Sequence, residues 1–277
     1  MENQKRKLVL ASFSQTIADT TTKTLYKENM ETIKLQAIQK MFGDIGVMLF
    51  LEMNKKNPSL PIQVSIVRLL ADQKCYSEVF EYMQNEHLSL LKKDPTPIIF
   101  KEFINLNVVM LYDMIGSPTS KDELWPHIYP GFTEFRSLLA KKGIDFGIVS
   151  SGYEGFIIDV FDFYQIPKPL FCVTPEDNFE LVSFNDWTSK NKPSRLLISQ
   201  AINYWTKYNP SLSIEYAFAN TIMIGDDLYL DGKMAENAGI PFWYFTSDIN
   251  NVVLSDNQRS FSSWGQMVNA LKNDQLF

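Results

Sequence analysis

Three carboxylates within a seven-residue stretch, Gly225-Asp226-Asp227-Leu228-Tyr229-Leu230-Asp231, come directly after an apolar run and are the most chemically suggestive part of the chain. Oxygen donors at this density suit a hard cation such as Mg2+, which keeps several waters and commonly shares its shell with phosphate oxygens. Aspartate is also a preferred N-cap favoured by the positive end of a helix, so the same residues can serve a following helix. Two further polar clusters, residues 12–16 (Ser-Phe-Ser-Gln-Thr) and Ser150-Ser151-Gly152, likewise follow apolar runs. Serine is a good cap as well, and Ser150-Ser151 can be read that way.

The elements that position these clusters are legible in outline. Lys7 to Ala11, Asp145 to Val149 and Thr221 to Ile224 are short apolar runs that read as buried strands. Helical patterns cover 132–142, ended by Gly143, then 154–164, 192–208 and 232–238, ended by Gly239, with short strands at 170–173 and 241–245. The last of these strands, with its aromatic run Phe242-Trp243-Tyr244-Phe245, is expected to be buried and to close the sheet. Strands alternating with helices predict an α/β fold with a parallel sheet covered on both faces. Ligands in such sheets bind beyond the carboxyl ends of the strands, where all three polar clusters fall. From residue 20 to about 116 the pattern differs. Leu25, Ile33, Ile38, Met41 and Phe42, and then Ile62, Ile66, Leu69 and Leu70, recur at helical spacings, and Pro58, Pro61, Pro95 and Pro97 divide the region. A polar stretch, 116–123, ends it. The connection 174–191 is long and polar, and an extra loop near the pocket is expected there. No internal repeat is visible.

Composition narrows the function classes. A chain of 277 residues with 45% apolar and 21% charged side chains is an ordinary globular composition, fitting one large domain or a core with a sizeable insertion. The net charge of −6 and the absence of a basic cluster beyond Lys5-Arg6-Lys7 argue against nucleic acid as a partner. Cys75 and Cys172 form no CxxC pair, and His87 and His127 are the sole imidazoles, which argues against zinc chemistry and gives neither histidine a catalytic part. The run Leu8 to Ala11 is too short for a signal-peptide core, and no stretch has the length for a membrane span. The expectation is a soluble protein of the cytoplasm or another reducing compartment; signal-independent export would leave no trace in the sequence.

The ordered motifs resemble those of the haloacid dehalogenase (HAD) superfamily, most of whose members are phosphatases and phosphomutases. Thr221-Ile222-Met223-Ile224-Gly225-Asp226-Asp227 with Asp231, followed by Ala238-Gly239-Ile240, resembles the fourth motif, and implies Asp226, Asp227 and Asp231 as Mg2+-holding residues. Ile148-Val149-Ser150-Ser151-Gly152 resembles the second, implying phosphate binding by Ser150, Ser151 and Gly152. Lys192-Pro193 resembles the third, whose lysine balances charge on nucleophile and phosphate; Lys190 competes for that place. Tyr129-Pro130-Gly131-Phe132 resembles the segment by which the chain re-enters the core from a helical cap. The resemblance implies a Rossmann-like HAD core at 1–19 and 125–277, with an all-helical cap inserted at 20–124 that closes over the site and offers a surface to a protein partner.

The first motif departs from the family pattern. Leu8 to Thr20 aligns without gaps onto the strand and Asp-x-Asp-x-Thr loop, but Ser12 and Ser14 stand where the family has its nucleophile and its general acid and base. Thr16, Ile17 and Asp19 persist. A serine hydroxyl is a weak nucleophile unless a base activates it, and Ser14 cannot be that base. Losing general acid–base help alone commonly costs about 10²- to 10⁴-fold in rate. Ser12 also removes an anionic ligand, so Mg2+ is expected to bind less tightly. Asp113, in the helical region without an Asp-x-Asp partner, and Asp19, beyond the loop, are poor substitutes. The leading expectation is a HAD-like pseudo-phosphatase that binds a phosphorylated small molecule, a phosphoprotein or a protein partner. The alternatives are a weak Mg2+-dependent phosphohydrolase using metal-activated water or Ser12, and an interaction protein with an empty pocket.

Overall fold

The computed structural model describes residues 6–20, 24–57, 62–86, 96–115, 125–174, 177, 191–248 and 253–277. Lys190, His87, the stretch 116–123, Pro58, Pro61, Pro95 and most of the connection 174–191 lie outside the described residues. The chain divides into two compact units, one made of the described residues of 1–23, 126–177 and 189–277, the other of those of 24–125.

The first unit is an α/β layer structure. Its sheet has the spatial order β5 (Cys172–Val173), β4 (Asp145–Val149), β1 (Leu8–Ala11), β6 (Thr221–Gly225), β7 (Phe242–Phe245), β8 (Gln258–Phe261). Every pairing is parallel. The central strand β1 is in register with both neighbours, Ala11 lying opposite Ile148 on one side and Ile224 on the other. All residues of β1 are buried, as expected of a strand with helices on both faces. On one face Leu8, Leu10, Val149, Met223 and Phe242 share a core with Leu197, Ile198, Ala201 and Trp205 of helix α7 (Leu196–Tyr208). The opposite face is aromatic: Phe132 lies 4.9 Å from Trp264 and 6.0 Å from Phe146, and Phe245 lies 5.6 Å from Trp264 between ring centroids. Phe132 begins helix α5 (Phe132–Lys141) and Trp264 begins helix α10 (Trp264–Lys272).

Several boundaries differ from the sequence reading. The sheet does not end at β7: β8 adds an edge strand whose Gln258, Arg259 and Ser260 hide it from a hydrophobic scan, as polar edges do. Helix α7 starts at Leu196, not at residue 192; Lys192 lies in a turn closed by Ser194 N–H donating to Asn191 O at 2.7 Å. Helix α8 (Ile214–Ala219), capped by Ser213, was not expected. A two-residue strand β2 (Ala18–Asp19) pairs antiparallel with β3 (His127–Ile128), so the two ends of the inserted segment are held side by side.

The second unit is all helical: α1 (Thr24–Lys56), broken at Gly43 where φ is 64°, α2 (Ile62–Leu70), α3 (Gln73–Asn85) and α4 (Thr96–Ile115). Ile33, Ile38, Met41, Phe42, Ile66 and Leu69 are buried, so the helical spacing seen in the sequence marks a core stripe. Asp72 caps α3, accepting from Lys74 N at 2.9 Å and Cys75 N at 3.1 Å. Both cysteines are buried, and neither is in a disulfide. Among the described residues no helix is long and apolar enough to cross a membrane.

Candidate phosphate site at the strand ends

Every described candidate residue belongs to the first unit and follows β1, β4 or β6, or lies in the turn before α7. Ser12 continues β1: its N–H donates to Ile224 O at 2.9 Å, which fixes the residue beside Gly225, and only 5% of it is exposed. The chain then turns sharply. Ile17 N–H and Ala18 N–H both donate to Phe13 O, Gln15 N–H donates to Ala18 O, and Gln15 adopts the left-handed region at φ 59°. Asn and Gly tolerate such a φ best; here the glutamine side chain is held, its Oε1 accepting from Tyr129 Oη at 3.1 Å. The far side of the loop is pinned by the buried Trp264, whose Nε1 donates to Thr16 O at 2.9 Å.

Lys192 joins β1 to the turn after β6. Its Nζ donates to Ser12 Oγ at 2.9 Å and pairs with Asp231 Oδ1 at 2.5 Å. Both side chains of the ion pair are buried, at 6% and 2% exposure. Removing one partner of such a pair is costly because the other charge is left in a poorly solvated place, typically about 3–5 kcal/mol. An ammonium has hydrogens to give and no lone pair, so Ser12 Oγ accepts here and its own O–H is directed elsewhere.

The three aspartates have distinct surroundings. Asp226 Oδ1 accepts from the fully buried Thr16 Oγ1 at 2.7 Å. Burial pushes the Asp226 carboxyl above its ordinary range; the Thr16 bond opposes that, Asp231 adds to it, and Lys192 opposes it. Asp227 is a cap: its Oδ1 accepts from Tyr229 N and Leu230 N, each at 2.8 Å. It opens a single wide turn, 228–232, in which Gly232 N–H reaches back five residues to Asp227 O. Such turns are rare and recur at functional sites. This turn buries Asp231 and runs into helix α9 (Lys233–Ala238). Gly225 makes the arrangement sterically feasible, since a Cβ there would collide with the Asp231 side chain.

Ser150 leaves β4 with its N–H donating to Val173 O at 3.0 Å, and its Oγ accepts from Gly152 N at 3.0 Å. Helix α6 (Glu154–Phe163) has Tyr153 at its cap position, so neither Ser150 nor Ser151 caps it. Ser150 is buried, Ser151 exposed and Gly152 half-buried. Ser14 is half-buried in the loop after β1, bridged to Ala18. The fold therefore links Ser12, Lys192 and Asp231 directly, joins Thr16 to Asp226, and sets Ser150 on the adjacent strand end. Asp113 lies exposed on α4, Asp19 on β2 and His127 exposed on β3. Tyr129, Gln15 and Trp264 support the first loop although sequence reasoning gave them no such part; their long-range bonds leave no local signal.

As a Mg2+ site the donor set fits poorly. Asp227 is engaged by backbone N–H groups, Asp231 by an ammonium, and the first strand offers a hydroxyl. Among the described residues, no three His, Cys, Asp or Glu side chains converge as a metal-holding group.

No family model matches the chain, and no curated protein matches it in sequence. Solved structures do match in fold. A 2-haloacid dehalogenase from Pseudomonas syringae pv. Tomato DC3000 has a TM-score of 0.55 and 15% identity, over 97% of this chain and 99% of that one. CbbY from Rhodobacter sphaeroides, in complex with phosphate, has a TM-score of 0.53 and 13% identity over 95% and 96%. The HAD-hydrolase YfnB from Bacillus subtilis, bound to magnesium, has a TM-score of 0.50 and 14% identity over 96% and 98%. At these identities the likeness establishes the fold: a Rossmann-like HAD α/β core with an inserted all-helical cap domain.

Proposed function

We propose that the chain is a HAD-like pseudo-phosphatase: it binds a phosphorylated ligand at the ends of β1, β4 and β6 and does not turn it over through an aspartyl-phosphate. The observation that carries this reading is the Lys192 contact with Ser12 Oγ, 2.9 Å long and buried. It supports the reading because a fixed cation lies beside a hydroxyl that accepts from it and so keeps its own hydrogen to donate, at the position the motif resemblance gives to the nucleophile. Ser150, whose oxygen already accepts from Gly152 N, likewise has its O–H available to an anion. Such donors, together with an ammonium, are the groups that recognise phosphate oxygens. CbbY, of the same fold, was solved with phosphate.

Turnover through Ser12 is disfavoured by the direction of the same bond. A nucleophilic serine must pass its proton to a base, yet Ser12 faces an ammonium paired with a carboxylate. A bound phosphoryl group would therefore persist. Mg2+ binding is expected to be weak, because Ser12 supplies no charge and Asp227 and Asp231 are engaged.

The test is calorimetric titration of the full chain with inorganic phosphate and a panel of phosphomonoesters. Saturable binding that raises the melting temperature is expected, since a ligand for the folded state stabilises it by mass action. The double variant Lys192→Met/Asp231→Asn removes both charges of the buried pair together, keeps the fold testable and should abolish binding. No binding across the panel, or binding unchanged in that variant, would overturn the proposal.

A further inference from the structure

The geometry points to a phosphate site that works without a divalent cation: the fixed charge of Lys192, with the hydroxyls of Ser12 and Ser150, takes the part a bound metal would play. This inference rests on the phosphate-binding reading above and specifies how that site operates.

The donor set carries the first half of the argument. A hard cation needs uncommitted anionic oxygens. Asp227 Oδ1 is already shared by Tyr229 N and Leu230 N, and Asp231 Oδ1 lies 2.5 Å from an ammonium that would repel a metal. Asp226 gives one oxygen to Thr16 at 2.7 Å, and the Lys192 charge acts on it too. What remains for a metal among the described residues is the second oxygen of Asp226, that of Asp227 and neutral groups, with no group of three His, Cys, Asp or Glu side chains converging, in a pocket that already holds its own cation.

Charge supplies the second half. Where the motif resemblance sets two carboxylates, this chain has Ser12 and Ser14, a change of up to two charges. That is the magnitude a divalent cation would bring, so an arriving phosphate meets a comparable net field with no metal present. In a buried site such differences are large compared with water, because the effective dielectric constant is low. The two serines and the weakened metal site are then one adaptation: carboxylates that would require a compensating metal are gone, and Lys192 suffices for those that stay.

The experiment is titration of the full chain with inorganic phosphate, once with EDTA and once with millimolar MgCl2, together with MgCl2 alone. The inference expects the same phosphate dissociation constant in both buffers and no shift of the melting temperature by MgCl2 alone. It also expects Ser12→Asp to make binding metal-dependent, weak with EDTA and recovered with MgCl2. Phosphate binding by the unmodified chain that appears only with MgCl2 would overturn this inference and leave phosphate binding standing. Ser12→Asp binding phosphate equally in both buffers would contradict the charge argument. Absence of phosphate binding in either buffer would remove the proposed function itself and this inference with it.

Discussion

Lys192, Ser12 and Asp231 form one buried chain of contacts at the end of β1. With a hydroxyl at position 12, the ammonium pairs with the buried Asp231 carboxylate, and its second contact is a neutral acceptor at 2.9 Å. Ser12 and Asp231 were legible because their segments follow apolar runs, and Lys192, after a polar connection, because the motifs occur in order. Their partners were not: Thr16 meets Asp226 across 210 positions and Lys192 meets Ser12 across 180, separations at which no local pattern operates. Gly225 belongs to this scale as well. Its hydrogen is all the space the Asp231 side chain leaves, so Gly225→Ala should push that carboxylate away from Lys192. A loss of about 1–3 kcal/mol in denaturant-unfolding stability is expected, as for other overpacked interiors, together with weakened phosphate binding. A variant as stable as the unmodified chain would show that the turn yields without effect.

The strand ends owe their rigidity to the elements behind them. β1, β4 and β6 were visible as apolar runs because parallel strands covered on both faces need buried side chains on both. β2 and β3 were invisible because two residues carry no period, and β8 because its edge position tolerates Gln258, Arg259 and Ser260. In sequence the helix reads as starting at 232, with no element assigned to the wide turn 228–232; its hydrogen bond from Gly232 N–H back five residues to Asp227 O leaves no mark in the apolar pattern. Helix α10 contributes at a distance. Its first residue, Trp264, packs on Phe132 and Phe135 and donates from Nε1 to Thr16 O. Trp264→Phe keeps most of the ring packing but strands that buried carbonyl, which should cost about 1–3 kcal/mol. Because Thr16 also holds Asp226, amide exchange in the 12–18 loop should speed up in this variant. Unchanged exchange would mean that the loop is held without the tryptophan.

At the scale of the whole molecule, the fold is that of the HAD-type solved structures, while the first loop lacks both carboxylates that the motif resemblance sets there. The parallel sheet, the polar strand ends and the inserted helical domain are intact, and similarity over 95% or more of this chain to solved structures shows the same fold. Fold alone does not decide activity; the side chains at the strand ends do. Among the described residues they offer a buried ammonium and hydroxyls, and the Ser12 hydroxyl meets that ammonium rather than a base. The most direct measurement of this account is hydrolysis of a generic phosphomonoester, with and without Mg2+, by the unmodified chain beside a Ser12→Asp/Ser14→Asp double variant. The account predicts no turnover by the unmodified chain and Mg2+-dependent turnover gained by the double variant. Turnover by the unmodified chain that disappears in Asp226→Asn would contradict it.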